Sequence, residues 1–369
     1  MSSPEKLTPK RIGVLGAGQL ALMLAEALPA LASKLPETQQ LEVICAGSPG
    51  DCAARVAPLL ETDLTDAQSV HAFAKQVDLV TVESENIDAA VLQGLNLYPN
   101  ARAIGIAQDR LLEKQFFHEC GIDTAPFAAV DSVEDLQRAI TRIGLPAILK
   151  TRRMGYDGKG QVRLAHASEA AAAWIEVGEV PCILEGMVGF NSEVSLIAAR
   201  SNSGEIAFYP LTENHHRDGI LRTSIAPCDG TALQPLAETY MRELLTRLDY
   251  IGVLAIELFT REGKLIANEM APRVHNSGHW TIEGAATSQF ENHLRALLNL
   301  PLGSTASQPV VMLNCIGNMP SLEETARFPH LYRHDYGKEP RPGRKVGHLT
   351  FPASETAAIA YWKQRLDDV

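Results

Sequence analysis

Residues 253–270 read V-L-A-I-E-L-F-T-R-E-G-K-L-I-A-N-E-M, two apolar stretches on either side of a polar turn. This pattern predicts a β-hairpin that turns near Glu262-Gly263, because two strand-like runs joined by a short glycine-containing turn are typical of hairpins. If residue 257 pairs with residue 267, Glu257 and Glu269 are diagonal neighbours on one face, roughly 7–8 Å apart at the backbone. Two carboxylates this close repel each other unless a cation lies between them.

The glutamate pair predicts a magnesium site. Mg²⁺ is a hard ion that prefers oxygen ligands and often bridges protein carboxylates to nucleotide phosphates. The hairpin register is an assumption, because a slip of one residue would put the carboxylates on opposite faces of the sheet. Two unrelated surface glutamates are the alternative interpretation.

A glycine-rich, cationic loop precedes the hairpin in the chain. Residues 150–161 read K-T-R-R-M-G-Y-D-G-K-G-Q and follow an apolar strand that begins at Pro146. Glycines allow a backbone to approach phosphate groups closely, and the lysines and arginines offset phosphate charge. The loop therefore predicts a polyphosphate site, with a flexible solvated turn as the alternative. Glu185 and Glu193 flank a strand-linking segment that could offer backbone groups to an adenine and a carboxylate to a ribose.

Near the amino terminus, Gly16-Ala17-Gly18-Gln19-Leu20-Ala21 lies between an apolar strand and an amphipathic helix. Such a turn can present backbone N–H groups to an anion. A dinucleotide site also needs an acidic residue after the second strand. That strand ends in Cys45-Ala46-Gly47-Ser48, which carries no carboxylate. A mononucleotide-phosphate site and a purely structural turn both stay open.

The order of the predicted elements indicates three domains. Strands and helices alternate in residues 1–104, which predicts an α/β domain with a parallel sheet. Residues 105–300 mix hairpins and helices, as expected of an α+β domain with two lobes. Residues 301–369 are rich in strands and form a small third domain.

The composition of the chain argues against several classes of protein. The 369 residues contain 33 Lys and Arg against 44 Asp and Glu, a net charge of −11, which argues against nucleic-acid binding. No apolar run is long enough to span a membrane, and the first residues contain no apolar secretion signal. The six cysteines are scattered, which favours a reduced, cytoplasmic protein. Residues 150–163 and 327–348 nevertheless each carry a local charge of +4, so small anions are plausible ligands.

Together these features resemble an ATP-grasp ligase, which holds ATP between two small α+β lobes. Within that superfamily the chain resembles the N5-carboxyaminoimidazole ribonucleotide synthase family. The similarity rests on motifs in family order: G-A-G-Q-L (16–20), T-V-E-S-E-N (81–86), Q-D-R-L-L-E-K-Q (108–115), residues 150–161, L-T-E-N-H-H-R-D-G-I-L-R-T-S (211–224), N-E-M-A-P-R-V-H-N-S-G-H-W-T (268–281) and Y-G-K-E-P-R-P-G-R-K-V-G-H (336–348). The 268–281 block is the most specific of these.

The resemblance implies a pre-ATP-grasp domain, an ATP-grasp domain and a β-rich carboxyl-terminal domain. It implies that ATP, bicarbonate and 5-aminoimidazole ribonucleotide give the N5-carboxylated ribonucleotide, ADP and phosphate in de novo purine biosynthesis. The implied ATP-binding residues are Arg110, Lys150, Gly155, Tyr156, Asp157, Gly158, Lys159, Gly160, Gln161, Glu185, Gly186, Met187, Val188, Glu193, His216, Asn268 and Glu269. Magnesium would be held by Glu257 and Glu269.

The same resemblance assigns the remaining site residues. Arg273, His275 and Asn276 would hold bicarbonate and the carboxyphosphate formed from it. The ribonucleotide and its phosphate would contact Gln19, Leu20, Glu85, Tyr156, Asp157, Arg273, Lys338, Arg344 and Lys345. Catalytic roles would fall to Asp157, Arg273, His275, Asn276 and Lys345, with Asp157 orienting the nucleophilic amine. His275 and His279 could instead be core histidines.

Some positions depart from the family pattern. Ala17 and Leu22 replace a common glycine and arginine, and Glu213 replaces a frequent histidine. The chain ends soon after G-H-L-T, so we expect a free-standing enzyme, a homodimer by resemblance, that passes its product to a separate mutase. The competing interpretations are a formate-using glycinamide ribonucleotide transformylase, a nicotinamide-dependent oxidoreductase built on residues 11–21, and a non-catalytic nucleotide sensor.

Overall fold

The computed structural model describes residues 10–36, 39–155, 159–229 and 231–367. Its first part contains β1 (Lys10–Leu15), α1 (Gln19–Ala32), β2 (Leu41–Gly47), β3 (Leu59–Glu61), α2 (Ala67–Ala74) and β4 (Leu79–Val82). The four strands form a parallel sheet in the order β3-β2-β1-β4, as predicted. Leu15 pairs with Val82, so the residues that follow β1 and β4 emerge side by side at the carboxyl edge of the sheet.

A second, antiparallel sheet has its own small core. This region contains α3 (Ala101–Ala107), α4 (Arg110–Glu119), β5 (Phe127–Val130), α5 (Val133–Ile143), β6 (Ala147–Thr151), β7 (Gln161–Leu164), α6 (Ala170–Glu176) and β8 (Cys182–Gly186). The strands lie in the order β5-β8-β6-β7. Leu136 of α5 and Trp174 of α6 pack with Leu149 and Leu184 of the sheet. In this sheet, β6 leads into the cationic segment that precedes β7 in the chain.

The third sheet is long and runs through the rest of the chain. Its elements are β9 (Ser192–Arg200), β10 (Ile206–Phe208), β11 (Thr212–Arg217), β12 (Ile220–Ala226), α7 (Gln234–Arg247), β13 (Gly252–Arg261), β14 (Lys264–Ala271), α8 (Thr281–Gly284), α9 (Gln289–Leu297), β15 (Val310–Ile316), α10 (Leu322–Thr325), β16 (Tyr332–Asp335), β17 (Lys345–Pro352) and α11 (Thr356–Asp367). The order is β14-β13-β9-β11-β12-β15-β17-β16, with β10 beside β9. Because β12 pairs with β15, the carboxyl-terminal strands extend the central sheet rather than forming a sheet of their own.

The β13–β14 hairpin corrects the assumed register. Arg261 pairs with Lys264, so Glu262 and Gly263 form a two-residue turn with positive φ angles of 52° and 75°. Glu257 faces Glu269 directly, whereas Leu258 pairs with Ala267. The assumed pairing of residue 257 with residue 267 is therefore wrong.

A β-bulge at Asn268 explains why the two carboxylates still share a face. The turn alone would pair residue 257 with residue 268 and put Glu269 on the other face of the sheet. The ladder shifts by one residue after Glu257, which leaves Asn268 as the extra residue of the bulge. The extra residue returns Glu269 to the face of the sheet that carries Glu257, so the two carboxylates become direct cross-strand neighbours.

None of the helices in the described ranges is long and apolar enough to cross a membrane. The longest, α1 and α7, have 14 residues each, and a span needs about 20 apolar residues. All six cysteines have free thiols, and five of them are buried.

Candidate active site

The three sheets contribute to one cavity of about 810 Å³. The turn before α1 supplies part of its wall, as do the segment after β4, the end of β6, the β13–β14 hairpin and the start of β17. Seventeen of the residues expected to bind ligands line it: Gln19, Leu20, Glu85, Arg110, Lys150, Gly155, Gln161, Glu193, His216, Glu257, Asn268, Glu269, Arg273, His275, Asn276, Lys338 and Lys345. Motifs separated by more than 300 positions in the chain are thus brought together.

Seven other expected residues are described but do not themselves line this cavity. They are Lys159, Gly160, Glu185, Gly186, Met187, Val188 and Arg344. Arg344 donates through Nη1 to the carbonyl of Glu339 at 3.1 Å. Tyr156, Asp157 and Gly158 lie outside the described residues.

The carboxylate pair has the donor chemistry that Mg²⁺ requires. Burial, followed by repulsion from Glu269, raises the pKa of Glu257 to about 7. Burial also opposes ionisation of Glu269, but Arg110 and Lys150 outweigh it and lower the pKa of Glu269. Arg110 Nη1 lies 3.1 Å from Glu269 Oε2. The pair therefore favours a further cation, and its oxygen atoms suit a hard divalent ion.

The described residues contain no cluster of three or more His, Cys, Asp or Glu side chains arranged around a metal. Two carboxylates are enough for Mg²⁺, because this ion keeps several waters and is usually completed by substrate phosphates. The amide of Asn268 lines the cavity beside them. The residues present fit a magnesium–nucleotide site rather than an all-protein metal cage.

Lys150 stands at the end of β6 and is fixed by a buried carboxylate. Its Nζ lies 3.0 Å from Glu185 Oε2, and the Glu185 side chain is only 6% exposed. Burial acts against ionisation of Glu185, but Lys114 and Lys150 more than offset it and hold its pKa at about 2. The Glu185 side chain therefore orients Lys150, and any contact with adenine falls to the backbone of this segment.

The loop after Lys150 needs glycine for a steric reason. Gly160 has a φ of +68°, and a Cβ there would lie 2.7 Å from Thr151 Oγ1. Arg110 Nη2 donates to the carbonyl of Gly155 at 3.1 Å, which anchors the base of the loop.

Arg273 and Glu85 form a two-pronged ion pair across the cavity wall. Arg273 Nη2 donates to Glu85 Oε1 at 2.9 Å, Nε donates to Oε2, and Nη1 donates to the carbonyl of Val274 at 3.2 Å. A guanidinium carries five N–H donors, so one donor on each terminal nitrogen remains for another partner. Glu85 therefore fixes the plane of the guanidinium.

Asn276 is held from the carboxyl-terminal strands. It donates through Nδ2 to Asn314 Oδ1 at 3.1 Å and accepts from Asn314 Nδ2 at 2.7 Å. Sequence reasoning missed Asn314, which lies within the apolar strand β15. A polar side chain inside an otherwise apolar strand was the available signal.

The ring of His275 has one defined tautomer. Its Nδ1 accepts from the backbone N–H of Ser277 at 3.3 Å and lies 2.8 Å from Ser277 Oγ. A nitrogen that accepts a backbone N–H carries no proton, so the ring proton sits on Nε2. Nε2 lies 3.4 Å from Glu257 Oε1, at the cavity. Burial, reinforced by Arg273, lowers the pKa of His275 to about 3, so the ring is neutral.

The hydroxyl of Ser277 is oriented by a buried chain of hydrogen bonds. Ser195 Oγ donates to it at 2.7 Å, and Ser195 accepts from Asn214 Nδ2 at 2.9 Å. Ser224 Oγ donates to Asn214 Oδ1 at 2.8 Å. The hydrogen bonds of Ser277 therefore fix the orientation of the His275 ring at the cavity.

His279, by contrast, is fully buried, which agrees with the alternative interpretation of this residue as a core histidine.

The amino-terminal glycine turn is occupied by a protein carboxylate. Glu83 accepts from the N–H of Gly18 at 2.6 Å and from the N–H of Ala21 at 3.0 Å. Gly16 has a φ of +116°, and a Cβ there would clash with Glu83. Two of the amides expected to bind an anion are thus already satisfied. Glu83 was missed, although a charged residue directly after β4 was a usable signal.

Three further contacts complete the cavity wall. Lys338 Nζ donates to Gln19 Oε1, which joins the carboxyl-terminal segment to the first turn. Phe190 and Phe259 stack with ring centroids 4.8 Å apart and supply an apolar part of the wall. Glu193 and His216 form a close pair, with Oε2 and Nδ1 2.6 Å apart.

A site built between two α+β lobes, with a strand-end lysine, a glycine-rich loop and paired glutamates, defines an ATP-grasp protein. Models of the ATP-grasp domain, the ribonucleotide synthetase preATP-grasp domain and the phosphoribosylaminoimidazole carboxylase C-terminal domain match residues 115–290, 9–108 and 310–361. The chain is 48% identical to N5-carboxyaminoimidazole ribonucleotide synthase of Pseudomonas aeruginosa, over 95% of this chain and 96% of that protein. It belongs to the N5-carboxyaminoimidazole ribonucleotide synthase family, which confirms the expected family.

Solved structures of proteins with this name have the same fold. N5-carboxyaminoimidazole ribonucleotide synthetase from Thermus thermophilus is 47% identical, with a TM-score of 0.88 over 97% of this chain and 98% of that chain. An Aspergillus clavatus N5-carboxyaminoimidazole synthase, solved with ADP and 5-aminoimidazole ribonucleotide, is 28% identical, with a TM-score of 0.86 over 98% of each chain.

Proposed function

We propose that this chain carboxylates 5-aminoimidazole ribonucleotide with bicarbonate at the expense of ATP, in purine biosynthesis. The observation that carries the proposal is a single cavity in which the Glu257–Glu269 pair and Lys150 lie together with the Arg273–His275 segment and Lys345. Nucleotide, small oxyanion and ribonucleotide phosphate would each find matching groups there. ADP release measured with each substrate withheld in turn tests the proposal.

The nucleotide part of the cavity would position ATP for phosphoryl transfer. Lys150 and Arg110 would offset phosphate charge, and Glu257, Glu269 and Asn268 would hold Mg²⁺ against the phosphates. The ion, when bound, supplies neutralisation of charge on the transferring phosphoryl group. The Phe190–Phe259 stack offers an apolar surface next to Glu193 and His216, which would suit a base and its ribose.

The proposed reaction has two steps, the phosphorylation of bicarbonate and the carboxylation of the amine. A bicarbonate oxygen attacks the γ-phosphorus of ATP, the bond to ADP breaks, and carboxyphosphate forms. The exocyclic amine of the ribonucleotide then attacks the carboxyl carbon, either in carboxyphosphate itself or in CO2 released from it. The bond between that carbon and the phosphate oxygen breaks, and the amine loses a proton. Positioning and charge neutralisation dominate reactions of this kind. Arg273, held flat by Glu85, would present its two remaining N–H groups to the planar oxyanion.

The ribonucleotide would lie between the amino-terminal turn and the carboxyl-terminal cations. Gln19, Leu20, Lys338 and Lys345 line the cavity and would contact the ribonucleotide. The roles of Tyr156 and Asp157, including orientation of the amine by Asp157, rest on the family resemblance, as does any contact from Arg344. We also propose, on the same resemblance, a cytoplasmic homodimer that hands its product to a separate mutase.

His275 is expected to act as a hydrogen-bond donor through Nε2. The side-chain amide of glutamine can place an N–H close to Nε2, whereas the shorter asparagine amide reaches only the position of Nδ1. We therefore expect His275→Gln to keep kcat within about 10-fold of wild type and His275→Asn to lose about 100-fold or more. Steady-state rates at saturating ATP check this. Equal losses in both variants would argue against donation from Nε2.

Lys345 is expected to bind the ribonucleotide phosphate. Lys345→Ala should raise the KM for the ribonucleotide by about 10- to 150-fold, because one charge-assisted contact is worth about 1.5–3 kcal/mol. The KM for ATP should stay within twofold. Arg341→Ala, which removes an exposed cation from the loop that precedes β17, is the matched control. An effect confined to ATP would contradict the phosphate-binding role.

A further inference from the structure

Glu113 and Lys114 are adjacent, buried, ionisable residues that the proposed reaction does not use. Both lie on α4, with exposures of 2% and 1%. Burying a charged side chain is unfavourable unless its donors and acceptors are satisfied. Their position beneath the β13–β14 hairpin therefore requires a physical explanation.

The ammonium group of Lys114 has a complete set of acceptors. Its Nζ lies 2.7 Å from the carbonyl oxygen of Asn268, 3.3 Å from that of Ala267, and 3.5 Å from Glu185 Oε2. The two carbonyls accept hydrogen bonds from the ammonium group, and Glu185 adds an ion-pair contact, so the buried charge is compensated. Two acceptors belong to β14 in the long sheet and the third to β8 in the four-stranded sheet. Lys114 therefore ties together the two lobes that enclose the nucleotide part of the cavity.

The two carbonyl acceptors are those of the bulge. Asn268 is the extra residue in β14, so the regular ladder supplies no partner for it on β13. Glu113 supports the other side of the same bulge, because its Oε1 accepts from the N–H of Met270 at 2.6 Å. Adjacent residues of one helix thus clamp the irregularity that brings Glu269 opposite Glu257.

Lys114 is also linked through Glu185 to Lys150, the lysine proposed to bind phosphate. Glu185 Oε2 is shared by Lys114 and Lys150, whose Nζ lies 3.0 Å away. Arg110, on the same face of α4 at the i, i+4 spacing, pairs with Glu269. One helix face therefore contacts the carboxylate pair and, through Glu185, Lys150.

We propose that Lys114 is a positioning residue. It holds the metal-binding carboxylates and Lys150 at a fixed separation, so that magnesium and the nucleotide phosphates can bind at the same time. The proposal rests on the proposed function only for the identity of the two ligands. Removal of the Lys114 donors should loosen the bulge and release Glu185 from one of its two lysines. Magnesium and nucleotide binding should then weaken together, while binding of the ribonucleotide is unaffected.

Lys114→Met tests this, because methionine is apolar and similar in length. ADP affinity, measured by calorimetry with and without Mg²⁺, should fall about 10-fold in the presence of Mg²⁺. The Mg²⁺ concentration for half-maximal velocity should rise by a similar factor, with the KM for the ribonucleotide within twofold of wild type. Gln115→Met, the next residue on the exposed face of α4, should change neither quantity.

A role in stability alone would lower the melting temperature of Lys114→Met without changing its Mg²⁺ response, and that result would overturn the proposal. If Lys114→Met does not fold, Lys114→Arg keeps the charge but displaces the donors and should shift the Mg²⁺ response in the same direction. An unchanged response in a folded Lys114→Arg would then overturn it. If wild-type protein binds Mg²⁺ and ADP but fails to turn over the ribonucleotide, the proposed function fails while the calorimetric comparison still decides the role of Lys114.

Discussion

Glu269→Gln should reduce kcat by about 10³-fold or more, equivalent to about 4 kcal/mol of transition-state stabilisation. Glutamine preserves size but removes the charge that, with Glu257, would hold Mg²⁺. The side chain lines the cavity opposite Glu257, so no neighbouring carboxylate on β14 can replace it. Steady-state ADP release across a range of Mg²⁺ concentrations checks the prediction.

Two controls separate metal loss from other damage. Glu262→Gln changes a carboxylate at the hairpin turn whose side chain is 81% exposed, and it should behave like wild type. Glu269→Gln also weakens the pair with Arg110, so ADP binding should be measured without Mg²⁺, where the variant should stay within a few-fold of wild type. A near-normal rate in Glu269→Gln would remove this residue from the metal site.

Arg273→Lys should lower kcat/KM for bicarbonate by about 10³-fold with little change in ADP affinity. A lysine keeps one positive charge but cannot donate two parallel hydrogen bonds to Glu85 and two more to a planar oxyanion. The loss combines a missing oxyanion contact with a Glu85 carboxylate left partly unpaired. Rates at varied bicarbonate and calorimetry with ADP check the two halves of this prediction.

Glu85→Gln provides the comparison for Arg273. An amide offers one acceptor oxygen in place of two, so the guanidinium should keep its charge but lose its fixed plane. We expect a smaller loss, about 10-fold, in the same parameter. If Arg273→Lys retained normal bicarbonate kinetics, the oxyanion would have to bind elsewhere in the cavity.

Sequence patterns were most informative where chemistry and periodicity agree. The strand before Lys150, the glycines after it and the hairpin around Gly263 were all predictable, because strand periodicity and turn residues are local properties. The resemblance to the family added residues such as Lys338 and Gln19, which composition could not have paired. Seventeen of the expected residues line one cavity.

What could not be predicted depends on irregular or long-range geometry. The pairing of Glu257 with Glu269 requires a bulge at Asn268, and a regular two-residue alternation cannot indicate where an extra residue is inserted. The role of Glu83 in capping α1 was missed, because it depends on the strand order that brings the ends of β1 and β4 together. The buried contacts of Lys114 could not be predicted either, since its acceptors come from two strands that are distant in the sequence.

The most direct test of the central claim is ADP release by the wild-type chain with substrates omitted one at a time. We expect full activity only with ATP, Mg²⁺, bicarbonate and 5-aminoimidazole ribonucleotide together, and a large drop when either bicarbonate or the ribonucleotide is left out. ADP formation that ignored the ribonucleotide, but was stimulated by glycinamide ribonucleotide and formate, would contradict the account.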